Sequence, residues 1–246
     1  MDPRLTLKSS AKRRIALIDV LRGGALAAMA VYHFAWDLSF FALADLGVTE
    51  NPLWTGFARA TAGSFLALVG VGLYLAHGQG VRWTPFLRRL AMIAAAALAI
   101  SIASWFADPD GVILFGILHC IAVSSLIGLA FLRAPLALVI ALAVACLAAP
   151  ALLTSPAFNS VGWVWLGLAS EQVPSNDYNP LLPWFAMVLL GITVARLIPS
   201  KSWPTWQPRD PVTRTLALAG RHSLLFYLLH QPVLLGVLWL LSKAIG

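Results

Sequence analysis

The chain has very little charge. Asp, Glu, Lys and Arg make up 11% of its 246 residues, against about 25% in soluble domains. Hydrophobic residues make up 60% and mean hydropathy is +0.83, which excludes a soluble globular chain and predicts an integral membrane protein. Cysteine is nearly absent: Cys120 and Cys146 fall in predicted spans, without metal-ligand spacing, so neither a disulfide nor a zinc site follows and both read as packing residues. No internal repeat or low-complexity linker occurs, which weakens a transporter built on inverted repeats. No A-x-A-like cleavage site follows the first apolar run, which is too long and too polar for a signal-peptide core; it is expected to remain in the mature protein.

The apolar runs predict spans near 15–42, 54–76, 87–106, 112–131, 135–153, 181–198 and 219–242, each suited to a hydrocarbon core of about 30 Å. The expected fold is an all-α polytopic bundle of seven transmembrane helices, one domain over 1–246. Alternate loops lack Lys and Arg and carry Asp45, Glu50, Asp108, Asp110, Glu171 and Asp177. The opposite side carries Arg4, Lys8, Lys12, Arg13, Arg14, Arg82, Arg88, Arg89, Arg133, Arg196, Lys201, Arg209 and Arg214. The positive-inside rule then puts the N-terminus in the cytoplasm and the C-terminus outside. A net charge of +7 spread over such loops is topological, and nucleic acid is not an expected partner. The long outer connection, 154–180, has a short apolar centre with Trp163 and Trp165 that is expected at the interface or re-entering the membrane.

Against this apolar background, the first span carries Asp19, Arg22, His33 and Asp37. Each such group costs about 2.5–3.5 kcal/mol on insertion scales, so lipid-facing packing does not explain them. At 100° per residue all four fall within roughly a third of the circumference. Arg22 and His33 lie about 16 Å apart along the axis and cannot touch, whereas His33 and Asp37 at i, i+4 can pair. Arg59 enters the second helix from outside near the level of Asp37, making an intramembrane ion pair plausible. His119 is expected at the depth of His33.

The last predicted helix opens with Ala219, Gly220, Arg221, His222 and Ser223, then presents Tyr227 and His230 on nearly one face. Pro232 frees a backbone carbonyl that His230 could satisfy. His77 and His222 read as helix-end anchors. Arg82, Arg88 and Arg89 could grip a polyphosphate, although topology already demands cations there. Asp177, Tyr178 and Asn179 ahead of Trp184 would suit a sugar, a reading that competes with ordinary interfacial aromatics.

These residues also form recognisable segments. RIALIDVLRGGALAAMAVYHFAWDLSFF (Arg14 to Phe41), FGILHCIAVSSL (Phe115 to Leu126), DYNPLLPWFAMVLLGI (Asp177 to Ile192) and GRHSLLFYLLHQPVL (Gly220 to Leu234) resemble the bacterial heparan-α-glucosaminide N-acetyltransferase catalytic-domain family. The spacing of Arg22 and His33 is similar to the first-helix motif of membrane acyltransferase family 3, in which the His is regarded as catalytic. The resemblance implies acyl transfer in the bacterial inner membrane from a cytosolic acyl-CoA, acetyl-CoA foremost, to a sugar, glycan or lipid-linked glycan facing outward. No tightly bound cofactor or metal is expected, and membrane lipids are the other partners. On this reading His33 is the general base or transient acyl acceptor, oriented by Asp37, while Arg22 and Arg59 stabilise donor or oxyanion charge. His119, Asp177, Trp184 and His230 are candidate substrate contacts. Two rivals remain: a small transporter with an intramembrane His/Asp relay, and a haem-binding protein with His33 and His119 as axial ligands.

Overall fold

The computed structural model describes residues 15–199 and 201–245; Arg4, Lys8, Lys12, Arg13 and Arg14 of the basic-side assignment lie outside the described residues. Eight α-helices run α1 Ala16–Phe40, α2 Pro52–His77, α3 Trp83–Ala107, α4 Ile117–Gly128, α5 Leu136–Leu153, α6 Leu181–Leu197, α7 Pro211–Arg221 and α8 Ser223–Ile245. Among the described residues the only extended pairing is an isolated bridge between Ser155 and Ala169. α1, α2, α3, α5 and α8 are long and apolar enough to cross a membrane.

Local sequence sets several of these boundaries. The Asn51 side chain accepts from the Leu53 N–H at 2.9 Å with Pro52 at the first helical position, and Asp210 does the same for Thr213 ahead of Pro211. Both satisfy backbone donors that a helix start leaves open.

Two of the expected spans are corrected and one is shortened. The span expected at 112–131 becomes helical only at Ile117 and continues as a 3₁₀ turn to Phe131, because Pro109–Gly111 forms a separate turn and Gly116 starts the helix. The span at 181–198 holds as Leu181–Leu197 but has only 17 residues. α6 is the buried centre of the bundle, with Val188, Leu189 and Ile192 fully enclosed, so it faces neighbouring helices rather than a full lipid thickness. The run expected at 219–242 is two helices, because Pro211 and its cap start α7 early and the chain kinks at His222 (φ −106°, ψ 33°). Ala219, Gly220 and Arg221 therefore end one helix instead of opening the next.

Two glycine crossings bring backbones into contact. A Cβ on Gly23 would lie 2.0 Å from Leu216 O and one on Gly220 1.8 Å from Asp19 O, joining α1 to α7. Gly70 and Gly191 do the same for α2 and α6, each 2.0 Å from a carbonyl oxygen of the other helix. Small residues at such crossings are how membrane helices pack when no hydrophobic force drives them together. Along α7 the contacts descend as α1 ascends, from Asp19 with Gly220 and Arg221 to Gly23 with Leu216, so α7 runs antiparallel to α1; along α8 they climb together, from His33 with His230 to Asp37 with Gln231. α8 therefore runs parallel to α1.

Candidate active site

The polar stripe of α1 meets α8 in the C-terminal half of α1. The His33 and His230 rings lie 5.0 Å apart, tilted by 59°, and Tyr32 sets its edge against His33 at 5.7 Å. His230 Nδ1 is 2.6 Å from the Tyr227 carbonyl oxygen. A carbonyl only accepts, so Nδ1 carries the proton and Nε2 keeps its lone pair. That Nε2 is buried and has no hydrogen-bond partner among the described residues. The carbonyl taken is that of Tyr227 and not that of Leu228, the one Pro232 frees.

Asp37 is fully buried and its Oδ1 accepts from Gln231 Nε2 at 2.8 Å. The expected pairings of Asp37 do not form. No hydrogen bond joins it to His33, and Arg59 is exposed on α2 with no ion pair to it among the described residues. The i, i+4 spacing allowed His33 and Asp37 to meet, but each instead faces its own partner on α8. Gln231 escaped the sequence reading. The signal available was an amide inside an apolar helix, between His230 and Pro232.

Arg22 serves a different helix pair, the crossing of α1 with α7. It lies 3.7 Å from Asp19 Oδ1 and donates to Gly220 O at 3.4 Å, while Arg221 Nε lies 3.5 Å from Asp19 Oδ2. One buried carboxylate thus holds cations from both helices at the glycine crossing. Arg22 and His33 do not touch, as their spacing required.

At the start of α4, His119 is occupied at both ring nitrogens. Nδ1 accepts from the Gly116 N–H at 3.2 Å, and Nε2 is 3.2 Å from Ser101 Oγ, whose own proton goes to Ile113 O at 2.5 Å. His119 therefore closes the start of α4 against α3 and has no nitrogen left for axial ligation. Asp177 caps α4: Oδ2 accepts from the Ile117 N–H at 3.0 Å and from Tyr227 OH at 3.4 Å, and Oδ1 from Asn179. Burial pushes its pKa up, opposed by those three hydrogen bonds. The carboxylate expected to contact a sugar thus ties the outer loop to α8, one helical turn before His230. Trp184 packs half-buried on the core near Gly63 of α2. The outer connection has 3₁₀ turns at Pro156–Phe158 and Val164–Leu166, held by Tyr178 OH donating to Val164 O at 2.7 Å.

The family described as heparan-alpha-glucosaminide N-acetyltransferase, catalytic, matches residues 14–232, a stretch that contains both halves of the α1–α8 seam. The chain belongs to this family. Membership makes it a transmembrane acetyltransferase in general class, with an acyl-CoA donor and a glycan acceptor as the family's general partners. No curated protein and no solved structure matches the chain.

Proposed function

We propose that this multi-pass acetyltransferase moves an acetyl group from cytosolic acetyl-CoA to a sugar-like hydroxyl or amine at the outer face of the bacterial inner membrane, with His33 as proton acceptor. The observation that carries the reading is the His33–His230 pair on the α1–α8 seam, 5.0 Å between rings, in a chain of this family. In the step envisaged, the nucleophile gives its proton to an imidazole as its oxygen or nitrogen attacks the thioester carbonyl. The new C–O or C–N bond forms, the C–S bond breaks, and the proton passes to the departing thiolate. Two neutral imidazoles side by side offer the departing proton a transient acceptor on its way to the thiolate.

Arg22 sits about 16 Å along the helix from His33, too far to touch a reacting oxygen, so it acts on the donor's distal anionic part or through the α1–α7 crossing. Arg59, exposed on α2, is assigned to charge on an approaching substrate. Asp37 acts through Gln231 rather than by orienting His33. Purified protein in lipid nanodiscs, supplied with labelled acetyl-CoA and an envelope glycan and lipid extract, should release CoA and label a glycan or glycolipid. Substrate-dependent proton flux in liposomes with no acetylated product would overturn the enzyme reading in favour of a transporter.

A further inference from the structure

Three buried atoms on the α1–α8 seam have no hydrogen-bond partner among the described residues: Asp37 Oδ2, His230 Nε2 and Gln231 Oε1. The rest of each side chain fixes what these atoms offer. Gln231 Nε2 donates to Asp37 Oδ1, so the amide is oriented and its oxygen is the free end. The Nδ1 proton of His230 goes to Tyr227 O, so Nε2 presents a lone pair. The second oxygen of the Asp37 carboxylate accepts only. His230 and Gln231 are chain neighbours, and Gln231 is bound to Asp37, so the three line one stretch of the seam. Leaving buried acceptors unmet costs about 1–3 kcal/mol each, and a ligand carrying several donors would satisfy all three together.

We propose that Asp37, His230 and Gln231 form the subsite for the acyl acceptor, receiving a group rich in hydrogen-bond donors such as adjacent hydroxyls of a polyol, with Gln231 setting acceptor specificity. This rests on the acyl-transfer reading and goes further by dividing the site. A thioester carbonyl or a phosphate carries only lone pairs and would meet three more here. The donor's reacting end is thereby excluded from this stretch and left to the His33 side. Sites built to hydrogen-bond a substrate group discriminate strongly against analogues that lack it.

The test uses the full chain in nanodiscs. Gln231→Met should raise the extract concentration giving half-maximal CoA release by about tenfold or more while leaving the KM for acetyl-CoA within about twofold. Equal changes in both, or none in either, overturn the assignment. A second readout needs no substrate: Asp37→Leu combined with Gln231→Met removes the acceptors along with their mutual bond, and Tm should hold or rise by about 2–4 °C. A fall of more than about 5 °C would make the pair a structural bond and sink the proposal. Wild-type protein that releases no CoA would instead overturn the acyl-transfer reading. Thermal stabilisation of wild type but not of Gln231→Met by glucose or glucosamine would then support the donor-binding site by itself, and equal or no stabilisation would overturn it.

Discussion

Helix α1 meets its two partners, α7 and α8, in two different ways along its length. Around Asp19 the crossing is tight and paired: Gly23 and Gly220 let backbones touch, and one buried carboxylate is flanked by Arg22 and Arg221. About 21–27 Å further along α1, at His33 and Asp37, α1 and α8 face each other with polar groups only half satisfied. Membrane interiors penalise unmet polar groups, so stability alone accounts for the lower region, while the unmet groups of the upper region are what the proposed site uses. The contrast separates charges that looked alike in sequence: Asp19 and Arg22 join α1 to α7, whereas His33 and Asp37 face α8 at the proposed site.

Breaking the lower region should damage the protein most. Gly220→Ala places a methyl group 1.8 Å from Asp19 O, a backbone atom that cannot give way, and should cost about 3 kcal/mol or more. Size-exclusion chromatography in detergent should show loss of the folded, monodisperse species; an intact profile with wild-type Tm would mean that the crossing is not tight. Asp19→Asn comes next, since it leaves Arg22 and Arg221 near each other without their carboxylate. Because Arg221 is 43% exposed, solvent screening limits the loss to about 1–2 kcal/mol, read as a lower Tm.

The smallest effect is expected at Asp177, which links the outer loop to α8. Burial raises its folded pKa above the ordinary carboxylate value, so the folded chain keeps this proton to higher pH than the unfolded chain does. The linked stability is therefore greatest below the ordinary value of about 3.9 and falls as pH rises through the raised folded pKa. Asp177→Asn still offers an oxygen to the Ile117 N–H, as Asn caps helices nearly as well as Asp. It should flatten this step in a stability–pH profile while changing neutral-pH Tm little. A profile parallel to wild type would show that Asp177 titrates alike in both states.

Much of this architecture could be read from the chain. The apolar runs located α1, α2, α5 and α6 to within a few residues, and the period of α1 placed its four ionisable groups on one face. Hydropathy could not show that α7 is a separate helix, although Asp210 and Pro211 carry the start signal, because α7 and α8 together read as one apolar stretch beginning at Ala219. The partners of the stripe were hidden for a stronger reason. Whether His33 faces Asp37, His119 or His230 depends on which helix packs beside α1, and nothing local to α1 sets that. Gln231 was visible as an amide in an apolar helix, but its role follows only from the bond that orients it toward Asp37.

The central claim is that the upper seam serves chemistry and not stability, and the most direct test is His33→Gln measured for acyl transfer and thermal unfolding on the same preparation. Gln keeps hydrogen-bonding capacity but does not accept a proton near neutral pH. The account predicts a Tm close to wild type together with acyl transfer lower by about 10²-fold or more. A folded His33→Gln protein that transfers acyl groups at the wild-type rate would contradict it.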